Sequence, residues 1–192
     1  MNKAVSLLST GIDSPVASWL MKNQGVELTY LHLNTNPTDL KKVRQIKVKI
    51  DGNSSSELVI KDFMPDLKRI AENANRRLTC VLCKRAMYRE AEALAKRIRA
   101  GYIVTGENLG QVASQTLENL SVLDNAVGIP VLRPLLCFDK KEAIDIARRI
   151  GTYDISVADT KGSACRFVPQ NPATRANLEA VLREERKIFS VL

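Results

Sequence analysis

The amino-acid sequence predicts an α/β fold: a doubly wound, mostly parallel sheet with helices on both faces. Short apolar runs alternate along the chain with longer amphipathic segments, which is the pattern of repeated βα units. Small and polar residues follow the apolar runs, as expected where a buried strand turns into a helix. Ligands of such sheets bind at the carboxyl ends of the strands, so these turns are candidates for a functional site.

The apolar runs and the amphipathic segments give the expected elements in chain order. The expected strands are Ala4–Leu8, Glu27–Leu33, Glu57–Lys61, Gly101–Thr105 and Pro130–Leu132. The expected helices are Pro15–Asn23, Thr38–Ile50, Pro65–Asn75, Lys84–Arg99, Gln111–Leu120, Lys140–Ile150 and a charged C-terminal helix near Ala173–Lys187. Residues 51–56, Asp-Gly-Asn-Ser-Ser-Ser, predict a loop before the third strand.

Residues at the helix ends support these boundaries. Gly25, Gly101 and Gly151 each fall just past a helix end, where a left-handed cap is expected. Asp139 is the expected N-cap of the sixth helix, because Glu142 at its N3 position completes a capping box.

The composition fits one globular domain that binds a polyanion. A chain of 192 residues with 45% hydrophobic residues is long enough for one full core. The net charge of +8 favours nucleic acid or nucleotides as partners, although a solvated basic surface has the same composition. Because only 5% of the residues are aromatic, a platform for base stacking is not expected.

The chain is expected to be cytoplasmic, without a membrane partner. No apolar run approaches the roughly 20 residues that cross a bilayer. The sequence enters its first strand at once, without the pattern of a signal peptide.

The most informative segment is the loop at residues 9–14, Ser-Thr-Gly-Ile-Asp-Ser, between the first strand and the first helix. A strand, a turn of small residues and a helix N-terminus gather backbone N–H groups and a positive dipole end at one point, which suits a phosphate. The loop lacks the Gly-Lys-Ser/Thr of a Walker motif and the Gly-x-Gly-x-x-Gly of a dinucleotide-binding turn. An ordinary strand-to-helix turn is the alternative interpretation.

A second segment, residues 105–120, is unusually polar for the inner end of a strand. Gly106 would let the backbone approach a ligand closely. Gln111, Ser114 and Gln115 supply neutral hydrogen-bond donors and acceptors, and the two glutamines share one face at helical spacing. Surface amides without a function are the alternative.

The four cysteines are Cys80, Cys83, Cys137 and Cys165. Cys80 and Cys83 form a Cys-x-x-Cys pair just before a predicted helix, and this spacing indicates metal or redox chemistry. Together with Cys165 they supply three thiolates, enough to hold an iron–sulfur cluster of the 4Fe–4S or 3Fe–4S type. A structural zinc with a fourth ligand, a thioredoxin-like pair and plain buried thiols are the alternatives. Cys137 lies in an apolar run and is expected in the core.

These motifs carry a resemblance to a known family. The loop at 9–14 resembles the Ser-Gly-Gly-x-Asp-Ser loop of the ATP pyrophosphatases, the PP-loop superfamily, with Thr10 where that superfamily usually has glycine. It is followed in order by Cys-Val-Leu-Cys-Lys-Arg at 80–85, Val-Thr-Gly-Glu at 104–107, the polar segment at 110–120 and Leu-Arg-Pro-Leu at 132–135. From about Lys3 to about Arg175, the chain therefore resembles the catalytic domain of the tRNA 4-thiouridine synthetases, also called thiamine-biosynthesis sulfurtransferases.

The resemblance implies an adenine-nucleotide α-hydrolase-like fold and a reaction in two steps. A uridine of tRNA is adenylated on O4 by ATP with Mg2+ and pyrophosphate leaves; a sulfur then displaces AMP to give 4-thiouridine. The implied partners are tRNA and a sulfur donor, either a persulfide protein or inorganic sulfide. A homodimer or a separate RNA-binding partner would help to hold the tRNA.

The resemblance also assigns site residues. Asp13 corresponds to the loop aspartate needed for activity, and Cys165 to the cysteine used in sulfur transfer. Nucleotide contacts are assigned to Leu7, Leu8, Ser9, Thr10, Gly11, Asp13, Ser14, His32, Leu33, Arg85, Gly106 and Gln115. His32 is expected as a wall of the adenosine pocket, and Arg85 as a charged donor to the polyphosphate. Core packing of the leucines and a solvated Arg85 are the alternatives.

We expect a single PP-loop domain over residues 1–192, with a C-terminal helical extension near 173–190. The N-terminal RNA-binding region and the C-terminal rhodanese domain of larger members are expected to be absent. Two other functions stay open. One is a PP-loop ATP pyrophosphatase that acts on another base or on a small molecule, and the other is a non-catalytic accessory module that binds nucleotide or RNA.

Overall fold

Each of the five apolar runs forms a strand. The structure is a computed structural model of the chain, and it describes residues 2–52, 54–110, 115–158 and 165–189. The strands are β1 (Lys3–Leu7), β2 (Glu27–Asn34), β3 (Leu58–Asp62), β4 (Tyr102–Val104) and β5 (Val131–Leu132). The helices are α1 (Asp13–Asn23), α2 (Asp39–Asp51), α3 (Met64–Asn73), α4 (Thr79–Ile98), α5 (Leu117–Asp124), α6 (Lys140–Arg149), α7 (Tyr153–Val157) and α8 (Leu178–Phe189).

The strands are all parallel and lie in the order β3-β2-β1-β4-β5. The chain winds outward from β1 through β2 to β3, returns beside β1 with β4, and then winds the other way to β5. Strands β1 and β4 therefore flank the point where the winding reverses, which is where doubly wound sheets bind their ligands. The predicted fold class is confirmed.

Alternating side chains of β1 are buried on the two faces of the sheet. Ala4 packs in a cluster with Val16 of α1 and Ile46 of α2, whereas Val5 packs in another with Leu94 of α4. A sheet covered on both faces explains why its strands are nearly continuous apolar runs. Helices α3, α5 and α8 add a further apolar cluster around α4. No helix in the described ranges is long and apolar enough to cross a membrane.

Some boundaries differ from the sequence-based expectation. Helix α4 begins at Thr79, so Cys80 and Cys83 lie inside its first turns rather than before it. Helix α5 begins only at Leu117, because Thr116 is its N-cap and accepts a hydrogen bond from the Asn119 amide (3.2 Å). The first part of that predicted helix, residues 111–114, lies outside the described residues.

Two short helical elements were not predicted from the sequence, and the C-terminal helix was predicted to begin too early in the chain. The short helix α7 and a 3-10 turn at Arg76–Leu78 were not expected, since neither is long enough to show a helical period. The C-terminal helix was expected from Ala173, but α8 begins at Leu178.

The helix caps follow the expectation at three of four positions. Gly25 and Gly151 adopt left-handed conformations, with φ of 77° and 72°. At the end of α4 the expectation for Gly101 was wrong, because Arg99 takes the left-handed conformation and the Gly101 amide donates to the carbonyl of Lys3. Asp139 forms the predicted capping box with Glu142.

Candidate active site

The loop at residues 9–14 closes on itself through two serines. The Ser14 hydroxyl accepts a hydrogen bond from the Ser9 amide (2.8 Å) and is also bonded to the Ser9 hydroxyl (2.9 Å). The Ser9 hydroxyl accepts from the amide of Gly11 (3.2 Å). The two serines therefore form a small ring that sets the path of the backbone between β1 and α1.

Thr10 fits this loop without backbone strain. Among the described residues, Arg99 is the one non-glycine residue with positive φ, so the φ of Thr10 is negative and avoids the left-handed region that β-branched residues tolerate poorly. Helix α1 begins within the last residues of the loop, at Asp13, and its N-cap residue, Ile12, makes no side-chain capping bond. The amides of its first turn are thus left to other acceptors, which favours an anion at this point.

Gly106, after β4, packs against the start of α1. A Cβ atom added to Gly106 would lie 2.5 Å from the amide nitrogen of Ser14 and 2.7 Å from the carbonyl carbon of Asp13. The sequence suggested that this glycine admits a ligand; the structure shows the backbone of the loop in that space. Glycine at this position therefore lets the two turns at the switch point touch.

A cleft of about 640 Å³ opens above this edge of the sheet. Its size lies in the usual range for small-molecule sites. Of the sequence-predicted residues, it is lined by Ser9, Thr10, Gly11, Asp13, His32 and Leu33. Residues that sequence reasoning missed also line it: Ile12, Thr35, Asp39, Lys42, Met87, Lys140, Ile144, Ser156 and Val157.

A position rule could have found several of the missed residues. Asp39, Lys42 and Lys140 lie in the first turns of α2 and α6, which follow the parallel strands β2 and β5. The starts of such helices gather at the carboxyl edge of the sheet. Ser156 comes from the unexpected helix α7, and its hydroxyl donates to the carbonyl of Gly11 (3.2 Å).

A smaller apolar branch of about 90 Å³ extends between the ends of β1 and β2. Leu7 and Leu8 line it on the β1 side, and His32 and Leu33 on the β2 side. The branch shares Ser9, His32, Leu33 and Met87 with the main cleft. The structure therefore brings the four sequence-predicted strand residues and the loop to one continuous site.

His32 presents an unused acceptor in this site. Its Nδ1 lies 2.8 Å from the carbonyl oxygen of Leu8, and because a carbonyl only accepts, Nδ1 carries the proton. Nε2 is then an acceptor; it is buried and has no hydrogen-bond partner among the described residues. His32 therefore brings an unpartnered acceptor to the cleft, and its expected role as a wall of the adenosine pocket stays a prediction.

Asp13 lies in the first turn of α1 and faces cationic groups across the cleft. Burial raises the pKa of its carboxyl, and the nearby Lys140 ammonium acts in the opposite direction. Lys42 also lines the cleft and donates to the carbonyl of Ala158. Asp39 is a second carboxylate that lines the cleft. Two carboxylates and two lysines at the starts of helices suit a phosphate chain that carries a divalent cation.

Glu107 is the centre of a buried network beneath the site, and sequence reasoning missed it. Its carboxylate accepts from Lys84 (3.0 Å), Arg133 (2.9 Å), Thr105 (3.2 Å) and the hydroxyl of Tyr88. Burial alone would raise the pKa of Glu107, but Lys84 and the other donors outweigh it and the pKa is lowered. The ionised Glu107 thus ties the N-terminal part of α4 to the end of β4.

Arg85 is engaged away from the cleft. Its side chain is only 1% exposed, and its guanidinium donates to both carboxylate oxygens of Glu185 in α8 (2.7 and 3.1 Å) and to the carbonyl of Val122. Arg89 donates to the same carboxylate (2.7 Å). The nucleotide contact implied for Arg85 stays a prediction, and this geometry favours a structural role.

Gln115 lies before α5 and not on it. Its side-chain oxygen accepts from the amide of Asn108 (3.4 Å), and its backbone carbonyl accepts from Gly110 (3.0 Å). The expected helical face shared with Gln111 is wrong for Gln115, because that residue is not helical; Gln111 and Ser114 are outside the described residues. Gln115 therefore braces the turn after β4.

Three cysteines lie near one another. Cys80 and Cys83 are half-buried in α4, and Cys165 is exposed. Burial raises the pKa of Cys83 to about 12, and the neighbouring Cys165 and Cys80 thiols add to the effect. Burial and Cys165 also raise the pKa of Cys80. In the described part of the chain, no three His, Cys, Asp or Glu side chains are arranged to hold a metal ion.

Cys137 is exposed, so its expected place in the core was wrong. The segment after β5 turns instead of continuing as a strand, since the amides of Leu136 and Phe138 donate back to Arg133 and Leu135. The turn buries Leu135 and directs Cys137 to the surface.

The thiols should therefore differ in reactivity. At pH 8, iodoacetamide should modify Cys83 roughly 10- to 100-fold more slowly than exposed Cys137, because only the thiolate reacts and a raised pKa keeps Cys83 protonated. Modification of Cys83 should accelerate as the pH rises toward 11. Peptide mass spectrometry over time measures both rates, and a urea-unfolded sample is the control in which they should converge. Equal modification rates of Cys83 and Cys137 in the folded protein would contradict the conclusion that burial keeps the Cys83 thiol protonated.

Comparison with known proteins shows the family of this chain. The family model for the thiamine biosynthesis protein (ThiI) matches residues 1–189. A "Probable tRNA sulfurtransferase" of Methanosarcina mazei is 41% identical over 194 residues, which cover 97% of this chain and 47% of that protein. The protein of the same name from Methanocaldococcus jannaschii is 41% identical over 191 residues, 97% of this chain and 50% of that protein.

A solved structure gives the same result. The crystal structure of a 4-thiouridine synthetase–RNA complex with bound ATP superposes with a TM-score of 0.92 at 36% identity, covering 97% of this chain and 50% of that one. The chain thus spans about half the length of the curated relatives that it matches. Because the family model matches residues 1–189 and the fold agrees over the same extent, the chain belongs to the ThiI family of thiamine biosynthesis proteins.

Proposed function

We propose that this chain is the catalytic part of an ATP-dependent tRNA sulfurtransferase that converts a uridine to 4-thiouridine in the cytoplasm. The cleft at the switch point carries the proposal, because it joins a phosphate-type loop, Asp13 and two lysines to an apolar branch. The solved relative is a 4-thiouridine synthetase with bound ATP and RNA, which supports the same activity.

In this proposal ATP lies along the cleft with its base in the apolar branch. Leu7, Leu8 and Leu33 would pack against the adenosine, and His32 Nε2 would accept a hydrogen bond from it. The phosphates would then reach the loop at 9–14 and the first turn of α1. Mg2+ would enter with ATP, and the Asp13 carboxylate is the hard oxygen ligand that suits it.

The first proposed step is adenylation. The uridine O4 attacks the α-phosphorus of ATP, an O4–P bond forms, the bond to the β-phosphate breaks, and pyrophosphate leaves. The proton on uracil N3 is lost as the C4–N3 double bond forms. Backbone amides of α1, Lys42 and Lys140 would stabilise the negative charge that develops on the phosphates.

The second proposed step replaces oxygen by sulfur. A hydrosulfide equivalent attacks C4, a C–S bond forms, the C4–O4 bond breaks, and O4 leaves with AMP. With inorganic sulfide as the donor, hydrosulfide would attack C4 directly, and no protein thiol is needed. With a persulfide protein as the donor, the exposed Cys165 thiolate would take the outer sulfur, and the donor's thiolate would leave. That sulfur would then attack C4, and a neighbouring thiol, Cys80 or Cys83, would attack Sγ of Cys165, so that a protein disulfide forms and the sulfur stays on the uracil.

An iron–sulfur cluster on Cys80, Cys83 and Cys165 is a separate proposal with its own test. Proximity of the three thiols supports it, whereas the described side chains are not arranged as a metal site, so no step is assigned to a cluster. Protein purified without air should contain iron and labile sulfide if the cluster forms, and neither if it does not.

The RNA would be held mainly through its phosphates, because the net charge is +8. A homodimer or a separate RNA-binding partner would extend the basic surface.

Asp13→Asn should strongly reduce pyrophosphate release and leave the fold intact. An amide keeps the shape of the side chain but loses the charge that binds Mg2+ or orders the loop, so the rate should fall roughly 100-fold. The measurement is pyrophosphate and AMP formation from ATP, Mg2+ and tRNA. The control is Asp66→Asn, which removes a carboxylate from the first turn of α3, outside the cleft.

The same assay separates the alternatives. Release that depends on tRNA supports the proposal, and release with another acceptor supports a different PP-loop pyrophosphatase. ATP binding without turnover would indicate an accessory module. Near-normal turnover in Asp13→Asn would remove Asp13 from the site.

A further inference from the structure

A second cavity adjoins the nucleotide cleft. It measures about 600 Å³ and lies between the end of β2 and the end of β3, where Asn34 and Asp62 line it. Thr35 lines both this cavity and the cleft, so the two share a wall. The cavity is large enough for a nucleoside, and it opens at the same carboxyl edge of the sheet as the cleft.

Asn34 leaves a buried polar atom unused in this place. Its side-chain oxygen has no hydrogen-bond partner among the described residues, and it is inaccessible to solvent. Its backbone is already held, because the Asn34 carbonyl accepts from the Phe63 amide (2.8 Å). Buried polar atoms without a partner are rare in folded proteins, so this oxygen points to a ligand that donates a hydrogen bond.

The other side of the cavity is lined by a thiol and by two side chains that can contact RNA. Cys165 lines it together with Arg166 and Phe167. An arginine can pair with a phosphate, and a phenylalanine ring can stack on a base that is turned out of an RNA. The thiol assigned to sulfur transfer thus opens into a cavity suited to one unpaired nucleotide.

We propose that this cavity binds the target uracil, with Asn34 as the residue that selects it. The inference rests on the proposed function and adds its base-binding site. Uracil carries an N3–H donor between two carbonyl acceptors, and a carboxamide can accept from N3–H and donate to the O2 carbonyl. Cytosine has no hydrogen on N3 and cannot satisfy this oxygen there. The O4 edge of the uracil then faces the wall that the cavity shares with the nucleotide cleft, on the side of ATP.

The test compares Asn34→Ala with the unchanged protein, on tRNA transcripts with uridine or cytidine at the target position. In the variant, uridine-dependent pyrophosphate release should fall about tenfold or more, which is the usual effect of losing a base-edge contact. The affinity for ATP should stay within about twofold, since the residue faces the second cavity. Uridine-dependent pyrophosphate release should also fall in Asn34→Asp, which keeps the size of the side chain but loses its donor group. The result then does not depend on one variant.

Asn73→Ala is the matched control. Asn73 lies on the exposed face of α3, lines neither the cavity nor the cleft, and its side-chain amide donates to the carbonyl of Arg69 (2.8 Å). This variant should release pyrophosphate at nearly the normal rate. Unchanged uridine-dependent release in both Asn34 variants would overturn the proposal, as would a loss of ATP affinity that matches the loss of activity.

Direct binding separates this inference from the proposed function. Uridine 5′-monophosphate should bind the unchanged protein more tightly than cytidine 5′-monophosphate, and Asn34→Ala should remove the difference. If tRNA-dependent turnover were absent but this preference were present, the proposed function would fail and the uracil site would stand. If both nucleotides bound equally, the uracil site would fail whatever the turnover.

Discussion

Arg85→Ala should lower the free energy of unfolding by about 3–5 kcal/mol, because it leaves the Glu185 carboxylate buried without its main partner. For a chain of this size, that loss corresponds to a fall in Tm of roughly 6–20 °C. The affinity for ATP should change little, since the guanidinium lies between α4, α5 and α8. Thermal or urea unfolding, together with equilibrium binding of ATP, measures the two effects separately.

Arg89→Ala is the matched control, because it removes a second donor to the same carboxylate. Its side chain is 40% exposed, so the loss should be only about 0–1 kcal/mol. Replacing the pair together, Arg85→Met with Glu185→Leu, should recover much of the stability, because no charge is then left buried. Weaker ATP binding in Arg85→Ala at unchanged stability would instead support the nucleotide contact that the family resemblance implies.

The effect of Arg85→Ala should also depend on pH. Burial opposes ionisation of Glu185, but Arg85 and Arg89 outweigh it and hold its pKa below the usual 4.5. A lowered folded-state pKa stabilises the protein above the unfolded value, and the contribution disappears as the pH falls through the folded value. The difference between the variant and the unchanged protein should therefore be full at pH 7 and shrink below about pH 4.5.

Gly106→Ala should reduce tRNA-dependent pyrophosphate release roughly 100-fold, because it moves the start of α1. The added methyl would lie 2.5 Å from the Ser14 amide nitrogen, far inside the contact distance of such atoms, and the atoms it meets are backbone. Overpacking of this kind also costs about 1–3 kcal/mol of stability. Steady-state kinetics, ATP binding and unfolding curves measure these effects.

Gly101→Ala is the control at the other end of β4. A Cβ atom there meets nothing within 4 Å, and Gly101 does not need a positive φ. This variant should keep normal activity and stability. If Gly106→Ala behaved in the same way, the close packing of the two turns would be unimportant for the site.

The sequence by itself determined the fold class, the strands and the loop at residues 9–14. These features are local, because apolar runs and their spacing indicate strands and helices whatever the tertiary packing of the chain. Chain order then placed the ends of parallel strands at one edge of the sheet. That is why Leu7, Leu8, His32 and Leu33 could be assigned to one site, and the cleft now brings them together.

Tertiary structure alone decided which polar groups meet across the chain. Arg85 lies 100 residues from Glu185, and no local pattern distinguishes a buried ion pair from a phosphate ligand at that position. The same holds for Glu107 with Arg133 and for the exposure of Cys137, which follows from a turn after β5. Burial and charge pairing depend on partners that are distant in the sequence. They can be seen only in the folded chain, where helix packing sets the distances between the charged groups and excludes water from them.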